Sequence, residues 1–225
     1  MQKPRICCVA VFHRGALSLG AENRQNLGEA IYHWAILIRP KDISRLSESI
    51  VVDATDGVRQ DPVTDKDLNP THEWFFRVRE GFDPLATANF LGAVNIGTLP
   101  RAPSIARIRE MLEGLPLPRK DRRPFENCVS WAKQAIVMMQ VAELVDSRPV
   151  DEIMTAGMAL GGRIISNGLP QVEEERFPGL PSRKKSGGGT LLGRIKGLIK
   201  STHQPDGSSS EKAGQVGAPG QQGSA

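Results

Sequence analysis

The stretch Ile31-Tyr32-His33-Trp34-Ala35-Ile36-Leu37-Ile38-Arg39, followed by Ser49-Ile50-Val51-Val52-Asp53-Ala54-Thr55, decides the fold class. Both runs are apolar at successive positions rather than at alternating ones, the pattern of a strand covered on each face. Only residues 40–48 separate them, so an antiparallel hairpin is the simplest connection. Working outward, residues 5–13 (Ile6, Val9, Val11, Phe12), 73–79 (Trp74, Phe76, Val78) and 90–98 complete five expected strands. Gly92 and Gly97 interrupt the last, which predicts a bulge or a frayed end. The apolar period then becomes helical. Pro103-Ser104 opens a helix to about Glu113, Asn127 a longer one to about Val145, and a third runs from about Val150 to Ile165. Strands first and helices afterwards predict an α+β class, with an antiparallel sheet of about five strands followed by about three helices.

Length and composition agree with a soluble domain. The chain has 225 residues, of which 39% are hydrophobic and 24% charged, and no apolar run reaches the ~20 residues that span a bilayer. The apolar residues 6–12 run straight into His13-Arg14, so they read as a buried strand rather than a signal peptide. Three cysteines, two of them adjacent (Cys7, Cys8), do not make a disulfide framework, and an intracellular setting is expected. Cys-x-x-Cys and His-x-x-x-His pairs are absent, so neither a zinc site nor another cofactor is expected. The net charge of +4 is local. Arg183, Lys184, Lys185, Arg194, Lys196 and Lys200 account for six positive charges, and the rest of the chain has 23 basic against 25 acidic residues. That balance gives no case for nucleic-acid binding by the body.

Residues 1–177 read as one domain and residues 178–225 as a Gly/Ser-rich, basic, largely disordered tail. Within the tail, residues 191–200 bring Leu191, Leu192, Ile195, Leu198 and Ile199 to one helical side, a pattern open to weak contact with an anionic membrane surface. A transient helix is the simpler reading, because Gly193 and Gly197 both cost helix stability.

One constellation carries chemistry. Cys128 follows Asn127, a favoured N-cap, so it occupies the first turn of a helix. There, unpaired N–H groups and a partial positive charge favour thiolate over thiol and can stabilise an oxyanion, a role that also marks Asn127. The competing reading is a small buried hydrophobe. His33, at the start of its strand, is the candidate base; a structural histidine at a strand mouth is the competing reading. Asp53 is the candidate third member, since a carboxylate among apolar strand residues needs a partner. In a hairpin, His33 opposite Asp53 or Thr55 puts imidazole and carboxylate on one face, whereas a slip of one residue separates them. Alternatively, Asp53 leads into the turn Thr55-Asp56-Gly57. In the catalytic reading Cys128 attacks a carbonyl carbon, His33 moves the proton and Asp53 fixes the imidazole.

The order Tyr32-His33-Trp34-Ala35, a polar residue on the next strand, then Asn127-Cys128 at a helix start resembles the circularly permuted papain-like fold, the group of the lecithin:retinol acyltransferase-like and permuted deubiquitinase-like proteins. The segments 32–41, 52–55, 74–75 and 125–135 also resemble a large family of uncharacterised fungal proteins with an Asn-Cys-x-x-Trp helix. The resemblance implies that His33 and Cys128 are a catalytic pair. Asp53 stands where those relatives often have histidine. The expected activity is thiol-dependent hydrolysis or acyl transfer on an amide, peptide or ester bond, with an unidentified peptide or acyl substrate. The alternative is a non-catalytic binding or scaffold module on the same fold.

Overall fold

A computed structural model describes residues 4–180 of the chain, within a first compact unit that runs Met1–Pro181. Residues 181–225, which hold the amphipathic segment at 191–200 and most of the expected tail, lie outside the described residues. Five strands, β1 (Arg5–His13), β2 (Tyr32–Pro40), β3 (Ser49–Thr55), β4 (Phe75–Phe82) and β5 (Phe90–Leu99), form one antiparallel sheet in the order β4-β3-β2-β1-β5. Four helices accompany it: α1 (Ala21–Leu27), α2 (Ile105–Glu113), α3 (Cys128–Val141) and α4 (Val150–Asn167). The class is α+β, as the order of patterns requires.

The doubly apolar strands are covered on both faces. On one side Val9, Val11, Trp34, Ile36, Val52 and Ala54 pack with α3 and α4 through Trp131, Ile136, Met139, Ile153 and Leu160. On the other side Cys8, Ala10, Phe12, Ala35, Leu37 and Val51 pack against Leu46 and Phe177, supplied by short connecting segments rather than helices. Along β2, therefore, even-numbered residues face the helices and odd-numbered ones face away, as the two-residue period of a strand dictates.

Helix α4 lies close to β2 because it carries glycine where two aromatic rings press on it. A Cβ at Gly157 would sit 2.6 Å from the Trp34 ring, and one at Gly161 would sit 2.6 Å from the Tyr32 ring. The two residues flanking His33 are thus held by one helix. Both ring systems are fully buried.

Several boundaries differ from the sequence expectation. Helix α1 lies between β1 and β2, so the strands do not all come first; it buries no residue, and hence carries no apolar stripe to reveal it. Helix α3 ends at Val141 instead of near Val145, because Glu143 adopts a positive φ of 57° and Leu144 N–H turns back to Met139 O at 2.9 Å. Strand β4 starts at Phe75 and continues to Phe82, where it pairs with Ser49 across an irregularity. The expected interruptions in β5 are present as register shifts against β1, beside Gly97 and Gly92. After α4 the chain returns to β5, whose Asn95 N–H donates to Pro178 O at 2.8 Å.

One feature of the sheet positions the site. Strand β2 stays paired with β1 down to Tyr32, and β3 stays paired with β4 out to Thr55. Between β2 and β3, however, the ladder consists only of Ile36↔Val52, Leu37↔Val51 and Ile38↔Ile50. Beyond Ile36 and Val52 the two strands part.

Candidate active site

Helix α3 begins at the mouth of this fork. Asn127, in extended conformation, caps it by accepting the Val129 N–H on Oδ1 (2.9 Å), and Ser130 Oγ in turn accepts the Asn127 N–H (3.0 Å). This reciprocal capping box fixes where the first turn starts, and Cys128 is its first residue. With the following first-turn N–H groups held by the cap, the Cys128 N–H is the donor left for an oxyanion. Asn127 thus serves mainly as the cap, and only its Nδ2 remains to take part in oxyanion binding.

The sulfur meets the edge of β2 that the fork exposes. The Cys128 thiol points to Tyr32 O, with Sγ 3.9 Å away, and the nearby Trp34 N–H favours its thiolate form. These backbone groups stand where a continued ladder would offer partners to β3. The thiol is almost fully buried, at 2% exposure.

His33 points to the face away from the helices, its ring 6.2 Å from that of Phe12. Extending the observed register sets His33 opposite Thr55 and leaves Asp53 in diagonal reach. His33 Nε2 donates to Asp53 Oδ2 at 2.7 Å. The imidazole and the thiol lie close enough for each to shift the other's titration, His33 upward and Cys128 downward. Since Nε2 is committed to Asp53, Nδ1 is the nitrogen left to exchange a proton with the sulfur. The structure thus brings His33 and Asp53 into direct contact and sets Cys128 in their electrostatic reach.

Sequence reasoning missed the cations. Asp53, fully buried, lies directly across from Arg77 on β4. Arg77 grips the carboxylate with both arms, Nε to Oδ1 at 3.0 Å and Nη2 to Oδ2 at 2.7 Å. Arg79 Nη2 stands 3.6 Å from Oδ2 while its guanidinium stacks on Phe82. Arginines two apart on a strand share a face. That spacing beside a strand with a buried acid was the available signal.

The electrostatics follow from these contacts. Burial opposes the charged form of Asp53, but His33 and Arg77 outweigh it and hold the carboxyl far below the ordinary carboxylate range. Burial likewise opposes the imidazolium, yet the bonds to Asp53 and Cys128 raise His33 to about 9. Burial raises the Cys128 thiol, but His33, the Trp34 N–H and, through space, Arg14 together bring it below its usual value. Cys8 contrasts with it: burial pushes its thiol up to about 12 despite Arg39. Of the other described histidines, His13 accepts the Gly15 N–H and His72 bonds Asp56 O, so neither joins the site. Among the described residues no group of histidine, cysteine and carboxylate side chains is arranged to hold a metal ion, and no helix is long and apolar enough to cross a membrane.

No curated protein and no solved structure matches the chain. A family model described as a family of unknown function, DUF6914, matches residues 3–155, about two-thirds of the chain, and that span contains His33, Asp53, Arg77 and Cys128. The chain belongs to this family.

Proposed function

We propose that the protein is a thiol-dependent hydrolase or acyltransferase in which Cys128 is the nucleophile, His33 the general base and acid, and Asp53 the residue that orients the imidazole. The observation that carries this reading is the 2.7 Å contact between His33 Nε2 and a fully buried Asp53, with Cys128 close enough to His33 for each to shift the other's titration. The permuted papain-like arrangement is part of the same proposal, supported by a helix that starts on the cysteine and a sheet whose second strand bears the histidine.

The steps balance with the groups present. The thiol proton passes to His33 Nδ1, and the thiolate attacks the substrate carbonyl carbon to form a C–S bond. The oxyanion is met by the Cys128 N–H at the positive end of α3. Collapse breaks the bond to the amine or alcohol, which takes the proton from His33. In the second half His33 removes a proton from water, or from an acceptor alcohol or amine. The new nucleophile attacks the thioester, the C–S bond breaks, and the proton returns to the thiol.

Alkylation by iodoacetamide across pH, with the modified residue located by peptide mapping, tests the proposal. Cys128 is expected to react well below the pH at which an ordinary thiol does, and His33→Ala is expected to abolish that advantage. A Cys128 that titrates as a free thiol and ignores His33→Ala refutes the triad and leaves the non-catalytic module as the reading.

A further inference from the structure

The carboxylate at the centre of the site is over-neutralised. Asp53 faces His33 at 2.7 Å, Arg77 at 2.7 Å and Arg79 at 3.6 Å. With Cys128 counted as thiolate, two negative groups face three positive ones. Arg14 adds a fourth cation. Its Nη1 bonds Ala30 O (2.6 Å), two residues before the Tyr32 carbonyl that touches the sulfur, and it has no acidic partner among the described residues. The nearby carboxylates have other partners: Glu29 pairs with Lys133 at 2.8 Å, which the exposed Asp151 shares at 3.4 Å, and Glu126 pairs with Arg119 at 3.6 Å while accepting its backbone N–H.

The segment entering the nucleophile has the same sign. Arg122 and Arg123 are exposed and, among the described residues, without acidic partners. The Arg123 guanidinium lies 3.4 Å over the ring of Phe125, itself 67% exposed, three residues before Cys128. Outside the tail cluster the chain has two more acids than bases, so this excess is local to the site.

Resting on the thiol reading above, we infer that the substrate is an anionic acyl compound, with a carboxylate close to the bond that is cleaved, as in a peptide with an acidic residue beside the scissile bond. Arg14 is the first residue placed to receive that charge. The remaining excess of the partly exposed Arg77 and Arg79 over Asp53 draws it in, since a surface of one sign concentrates ligands of the other.

Three methanethiosulfonates of matched size test this on the full chain: one neutral, one bearing a sulfonate and one bearing a quaternary ammonium. In each, the thiolate attacks the sulfenyl sulfur, a disulfide forms, and the same methanesulfinate leaves. Rates at Cys128 are divided by those of a free small thiol under identical conditions. The anionic reagent is expected to win over the cationic one by about tenfold at low salt. At about 1 M salt, where screening acts within about 3 Å, the two are expected to converge. Arg14→Gln is expected to reduce the preference several-fold. Parity at low salt, a preference for the cationic reagent, or indifference to Arg14→Gln overturns the inference. The neutral reagent separates the two claims, because a free-thiol pH profile with that reagent overturns the thiolate reading itself, whatever the charge ratio.

Discussion

Asp53→Asn removes one charge and almost no volume, and the structure sets its consequences. His33 is raised from its ordinary 6.5 to about 9 against the effect of burial, with the Asp53 bond its largest support. That displacement corresponds to about 3 kcal/mol favouring the imidazolium. Losing an opposite charge at hydrogen-bond distance lowers such a value by about 1–3. The ring, protonated at neutral pH in the unaltered protein, then titrates between about 6 and 8, so that neutral imidazole gains population at pH 7. Cys128 loses its counter-charge in turn and moves toward the ordinary thiol range, which slows alkylation at pH 7 by at least about tenfold. The readout is the pH–rate profile at Cys128, together with the His33 titration followed by NMR. Arg77→Met provides the opposite sign. It takes away a cation that competes with His33 for the same oxygen, so His33 is expected to rise further. If Asp53→Asn folds cooperatively yet leaves both profiles unchanged, the account of the site is wrong. If the two variants move His33 in the same direction, the assignment of Asp53 as its main support fails as well.

Four further outcomes are expected. Gly157→Ala places a methyl 2.6 Å from the ring of Trp34, which cannot retreat because its Nε1 is bonded to Glu29 O at 2.8 Å, so it costs about 1–3 kcal/mol by denaturant unfolding. Gly162→Ala meets only the flexible end of Arg24 and is expected to be close to neutral in the same assay. Asn127→Ala removes the N-cap, costing about 1 kcal/mol of stability and slowing Cys128 alkylation as the first turn frays. Because folding depresses the Asp53 carboxyl, its stabilisation is present above its unfolded value near 4 and is lost as pH falls below it. Stability measured from pH 5 downward should therefore decline less steeply in Asp53→Asn than in the unaltered protein.

The sequence was legible where one residue's environment is local, and opaque where it depends on several strands. Cys128 was readable because the capping chemistry of Asn127 lies one residue away. The pairing of β2 with β3 was readable because a short break between two doubly apolar runs leaves little else to do. Asp53 stood between two readings because a carboxylate before Thr55-Asp56-Gly57 suits a turn equally well; only the register, with His33 opposite Thr55, separates them. Arg77 was hidden for another reason. Its partner is twenty-four positions away, and the bounds of β4 are blurred by Gly81, which takes a positive φ of 64° near the strand's end. The α4 glycines Gly157 and Gly161 are the clearance for Trp34 and Tyr32, a role that no local pattern announces because the rings belong to a distant strand.

The parting of β2 from β3 is what turns this sheet into a candidate site. By strand parity His33 and Asp53 face away from α3 and α4, while Cys128 belongs to the helix-side core. In an unbroken ladder the sheet itself would stand between thiol and imidazole. Because the ladder stops at Ile36 and Val52, the first turn of α3 reaches the free edge of β2, and the sulfur meets Tyr32 O and the Trp34 N–H in the plane of the sheet. From there its charge couples to an imidazole that lies on the opposite face. Gly157 and Gly161 hold Trp34 and Tyr32 against α4, so the two residues flanking His33 stay on the helix side and the histidine is directed to the other. Each part therefore has a separate cause in the chain: the cap sets where the helix begins, the glycines set the path of β2, and the seven-residue pairing of β3 with β4 draws Asp53 to Arg77 and away from a continued ladder.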